Sequence, residues 1–94
     1  MRYSRLHSQT AKELALSAAR RLTLLALTTP PQEFERLCPT EIEDFETQRD
    51  LAADEMHLGH GKLRSMFEED ALDAFEAETN RIRSSIAVPT FIEQ

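Results

Sequence analysis

Ninety-four residues with a formal net charge of −6, one cysteine and no tryptophan describe one small domain over residues 1–94, with room for a core but little surplus burial to stabilise it. Two glycines and few β-branched residues argue against a sheet, and the lone Cys38 excludes an internal disulfide framework and fits a reducing, cytoplasmic setting. Acidity opposes general nucleic-acid binding, which needs a net basic surface.

Charge is also unevenly spread. Residues 1–32 carry Arg2, Arg5, Lys12, Arg20 and Arg21 against Glu13 alone, whereas residues 33–78 carry fifteen acids against Arg36, Arg49, Lys62 and Arg64. Such a dipolar chain suits pairing with another copy or with a basic partner.

Residues 1–9 are basic and without a clear period, and read as an N-terminal arm. Thr10 and Glu13 have capping-box spacing and open a long helix to Leu27, with no Gly or Pro before Pro30. Its main stripe is Ala11, Leu14, Ala15, Ala18, Ala19, Leu22, Leu25 and Ala26 at i, i+3, i+4, i+7 spacing. Leu16, Leu24 and Leu27 fall off that stripe, so the helix carries apolar surface on more of its circumference than one contact needs. These three are the expected self-association residues. The alternative is a central helix covered on all sides by its own chain. Arg20 and Arg21 interrupt the apolar run, which is too short and too charged to cross a membrane and unlike a secretion signal.

Thr29, Pro30 and Gln32 read as a second start signal. The helix they open, about Pro30 to Leu37, is expected to be short because Pro39 disfavours helical geometry before it. Thr40 and Glu43 repeat the signal and open a helix to about Leu58 with Ile42, Phe45, Ala52, Ala53 and Met56 on one side. Arg49 falls inside that stripe, either snorkelling to water or paired with an acid of another helix or subunit. Gly59 is expected at the left-handed position that ends this helix. The last helix starts at Lys62 or Ser65, with Leu63, Met66, Phe67, Ala71, Ala74, Phe75, Ile82 and Ile86 as its stripe, folded back antiparallel on its predecessor. A single long helix bent at the glycines is the alternative there. Pro89 then makes residues 87–94 an extended apolar tail that wraps its own core or enters a partner's groove.

No phosphate loop, dinucleotide fingerprint, nucleophile elbow or His beside Cys38 is present, so the chain is expected to be no enzyme and to need no cofactor. Glu41, Asp44, Glu68, Glu69, Asp70 and Asp73 lie in an acidic run across two neighbouring helices, which is either a solvated face or a surface that docks on a basic partner. Asp50, Asp54 and His57, at i, i+4 and i+7, with His60 beyond, form a low-specificity set of metal-ligand types. The expected fold is therefore an all-α homodimer with a long first helix, a short second and an antiparallel pair. The leading function is a non-enzymatic interaction module, a regulator or inhibitor docking acidic helices on a basic protein such as a nucleic-acid-binding one. A metal-binding bundle stands second, and a small oligomeric nucleic-acid binder using Arg2, Arg5, Arg20 and Arg21 third.

Overall fold

A computed structural model describes the backbone of residues 2–92 and the side chains of residues 2–84. Three helices make up the chain among the described residues: α1 Arg5–Thr28, α2 Pro31–Glu55 and α3 Lys62–Ile92. α1 lies mainly against α3, less against α2, and α2 meets α3 over the shortest stretch.

α1 starts earlier than Thr10. Ser4 is its N-cap: the Ser4 hydroxyl accepts from the His7 N–H at 3.4 Å and the Ser4 N–H donates to His7 Nδ1 at 3.1 Å. Once that end is closed, residues 5–9 contain no breaker and helix propagation is cheap. Thr10 is then interior, and its hydroxyl donates back to the Leu6 carbonyl at 3.0 Å, a bond that competes with capping. Residues 5–9 are thus the first turns of α1 rather than an arm.

α2 overturns the short second helix. Pro39 lies inside it, and Pro31 rather than Pro30 takes the first helical position, with no side-chain cap from Gln32 or Thr29. An interior proline forgoes one backbone hydrogen bond and costs about 3 kcal/mol; α2 nevertheless continues through it, with Phe34 and Leu37 half-buried before it and Phe45 and Ala53 buried after it. Burial of Phe45 and Ala53 in the core cluster offsets the local penalty. Thr40 and Glu43 are consequently mid-helix residues.

The end of α2 is a Schellman motif. Leu58 N–H donates to the Ala53 carbonyl at 3.1 Å and His57 N–H to that of Asp54 at 3.0 Å, with Ala53 and Leu58 both buried, as this cap requires. The left-handed residue that ends the helix is His57 (φ 57°), and Gly59 (φ 73°) is a second left-handed residue beyond it. A β-carbon there is strained by roughly 1–2 kcal/mol. Replacing His57 by Gly should therefore raise the stability by about 1 kcal/mol, read as a higher urea midpoint; an unchanged or lower midpoint would mean that His57 makes a compensating contact. The break between α2 and α3 is complete, so the one-bent-helix alternative fails.

α3 runs 31 residues, and its backbone is helical over residues 87–92, where an extended tail was expected. Pro89, like Pro39, leaves the helix uninterrupted. The side chains of residues 85–92, Ile86 included, and residues 93–94 altogether lie outside the described residues, and so does the expected docking of that tail.

The core is thin. Among the described residues its buried apolar members are Ala11, Ala15, Ala18, Ala19, Phe45, Ala53, Leu58, Phe67 and Ala71, and only Phe67 is a large side chain wholly out of water. Tyr3, Leu14, Met56, Leu63 and Phe75 pack partly buried around it, and Phe45 stacks on Phe75 with ring centroids 4.9 Å apart. The alanine face of α1 lets neighbouring backbones approach closely. It also contributes little apolar area per residue, at roughly 25 cal/mol per Å². The radius of gyration is 15.5 Å over extents of 52 × 27 × 15 Å, against about 12 Å for a compact domain of this length. Long helices with few turns leave their ends uncovered.

Candidate functional site

What the three helices fail to cover defines the candidate site. Leu6, Leu24 and Leu27 of α1 are 67, 60 and 64% exposed, and Ile42, Leu51 and Leu72 of α2 and α3 are 40, 51 and 49% exposed. Leu16 is half-buried. The helical register explains this: Leu6 and Leu24 point almost opposite to Ala11, Ala15, Ala18 and Ala19, the face that meets α3 and α2. Of the expected self-association residues, two therefore stand in water and the third is half-covered.

Leu16 also helps to line a shallow groove of about 420 Å³ between α1 and α3, together with Ala74, Ala77 and the charged Lys12, Asp73 and Arg81. Its lining brings together apolar contacts and charges of both signs, without a thiol or an imidazole.

The acidic run is partly spent inside the molecule. Arg64, whose side chain is only 12% exposed, donates to Asp54 at 2.7 Å and lies 3.4 Å from Asp50 and 3.5 Å from Glu68. Asp54 is foremost in raising the Arg64 pKa, against the opposing effect of desolvation. Arg49 bonds Asp50 at 3.1 Å and reaches Glu68 at 3.8 Å, so it is the charge-paired residue and not the snorkelling one. These five side chains clamp the end of α2 to the start of α3.

Asp70 is engaged as well, accepting a hydrogen bond from the Tyr3 hydroxyl. Glu41 is half-buried, which leaves Asp44, Glu69 and Asp73 as the exposed members of the expected acidic surface.

Glu78 is buried at the α1–α3 contact, where Arg81 donates to it at 2.7 and 3.0 Å and Arg20 at 3.4 Å. The Arg81 hydrogen bonds hold its carboxyl below the usual range, against the opposing effect of burial. A depressed carboxylate pKa stabilises the fold above its unfolded value and is lost as pH falls through the folded one.

The metal-ligand set does not assemble. Among the described residues no three His, Cys, Asp or Glu side chains converge on a common point. Asp50 and Asp54 turn to Arg64, and His57 and His60 stand exposed in the turn. Cys38 is half-buried. Among the described residues no helix is long and apolar enough to cross a membrane.

Sequence reasoning missed the clamp and the Tyr3–Asp70 contact. Arg64–Glu68 and Glu78–Arg81 have helix-pair spacing and were open to detection. Nothing local links Tyr3 to a carboxylate 67 residues away.

Tyr3 offers a direct check on the α1–α3 contact. Burial first, then the hydrogen bond to Asp70 and the charge of Asp70, push its phenol above the ordinary value near 10.0. A raised pKa favours the neutral phenol, so its stabilisation is present below pH ~10 and is lost as pH rises through the folded value. Tyr3 is the only tyrosine and there is no tryptophan. Tyrosinate absorbance should therefore stay absent through pH ~10 and appear only with unfolding; titration at the free-tyrosine value would show the contact unformed.

No protein-family model matches the chain, and no match was found among the curated proteins or the solved structures compared with it.

Proposed function

We propose that this chain is a non-enzymatic, cytoplasmic protein–protein interaction module. It self-associates through α1, at Leu16, Leu24 and Leu27, and docks acidic side chains of α2 and α3 on a basic partner, as a regulator or inhibitor of a nucleic-acid-binding protein would. One observation carries the reading: among the described residues six large apolar side chains are exposed around a core of nine residues that are mostly alanine. Leucines held in water at rigid helical positions favour burial against a second surface. The sequence of contacts Asp54–Arg64, Arg49–Glu68 and Phe45–Phe75, falling along α2 as it rises along α3, supports an antiparallel pair presenting Asp44, Glu69 and Asp73 to a partner.

The acidic docking is tested by affinity capture from the source cell at rising salt. A basic protein should be recovered at low salt and released as screening increases. Paired Glu69→Lys and Asp73→Lys substitutions should weaken capture several-fold with the helical signal unchanged, because neither residue belongs to the internal clamp. Capture unaffected by both salt and substitution would contradict the acidic docking. Glu68 and Asp70 are unsuitable for this purpose, since their loss disturbs Arg49, Arg64 and Tyr3.

A further inference from the structure

The outer face of α1 carries a repeating order of apolar and charged side chains. Leu6, Glu13, Arg20 and Leu27 recur every seven residues, with Ser17 and Leu24 beside them, and all six are exposed. A strict seven-residue stripe forms a seam that stays in contact with another helix crossing at about 20°. Arg20 gives only its Nε to Glu78, at 3.4 Å, and its side chain remains 66% exposed.

We infer that two copies of this chain associate through this face with their α1 helices antiparallel and the two-fold axis beside Ser17. Read against its own inverted copy, the order Leu–Glu–Arg–Leu sets Leu6 on Leu27 of the second copy and Glu13 on its Arg20, each contact occurring twice. Sliding the pair by one heptad either way sets Glu13 on Glu13 or Arg20 on Arg20. A parallel pair does both. Like charges therefore oppose each neighbouring register, and opposite charges favour one. Exposed ion pairs contribute little affinity, so the charges choose the alignment and the leucines supply the adhesion. Ser17, small and at the crossing, lets the helices approach.

This inference deepens the self-association in the proposed function and rests on it. The test places single cysteines in a Cys38→Ser background and combines mild oxidation with sedimentation of the full chain. Ser17→Cys should yield a covalent dimer, because the two positions meet near the axis at disulfide range. Glu13→Cys should not link to itself, the two sites being displaced by about 10 Å along the helices, but should link to Arg20→Cys in a mixture. Separately, Glu13→Arg should raise the dimer dissociation constant about tenfold at low salt. A dimer by sedimentation without the Ser17→Cys link would overturn this alignment while leaving self-association standing. A monomer at every concentration would overturn both.

Discussion

Phe67→Ala should cost this protein a large share of its stability. Among the described residues Phe67 is the one large side chain with no exposed surface, in a cluster that also holds Ala11, Ala15, Ala18, Ala53 and Ala71, whose side chains are too short to fill a cavity. Truncating a buried Phe costs about 3–5 kcal/mol, against a total of roughly 5–14 kcal/mol for a chain of this length. Chemical denaturation monitored by helical signal should show the midpoint falling by roughly a fifth at the least, and by half or more if the total lies at the lower end of that range. A loss under about 1 kcal/mol would mean that the surrounding helices close over the gap, and hence that the α1–α3 contact is plastic. The same substitution in a domain with several large core residues would be less decisive.

The second large effect concerns association. Leu24→Asp together with Leu27→Asp should convert the protein to a monomer while leaving its helices formed, because both side chains are exposed in the single chain. Burying a leucine fully is worth about 1.5–3 kcal/mol, so losing two from each copy should raise the dissociation constant by a factor of at least ~100. Light scattering reads the mass and circular dichroism the fold. A dimer surviving this double substitution would place the interface elsewhere, with the exposed Ile42, Leu51 and Leu72 as the remaining apolar candidates.

Periodicity reached as far as each helix's own faces. The buried side of α1 was legible because Ala11, Ala15, Ala18 and Ala19 repeat at helical spacing among good helix formers, and all four are buried. The helix boundaries were less so, for a common reason. Thr–x–x–Glu spacings and prolines are local signals that the rest of the chain overrides: Ser4 with His7 closes α1 before Thr10 can, and α2 runs on through Pro39 to the buried Phe45 and Ala53. The turn held its own surprise, in that His57 takes the left-handed position that Gly59 was expected to fill, because Leu58 must come round to bury against Ala53.

The candidate site divides along the same line. Leu24 and Leu27 stand exposed where their positions off the alanine stripe put them, since exposure follows directly from helical register. The fate of each acid depends instead on which cation the tertiary fold delivers. Asp50, Asp54 and Glu68 are consumed by Arg49 and Arg64, and Asp70 by Tyr3, whereas Glu69 and Asp73 remain in solvent. The same delivery undoes the metal-ligand set: Asp50 and Asp54 have spacing suited to chelation but an arginine as their actual neighbour.

Thermal unfolding followed at a series of protein concentrations reads out whether the proposed association through α1 stabilises the fold. If folding and association are coupled, the unfolding midpoint must rise as the protein is concentrated, and the Leu24→Asp, Leu27→Asp variant must lose that dependence. A midpoint that stays constant from micromolar to millimolar chain would rule out coupled association, leaving α1 with its leucines in water and no second surface to meet them.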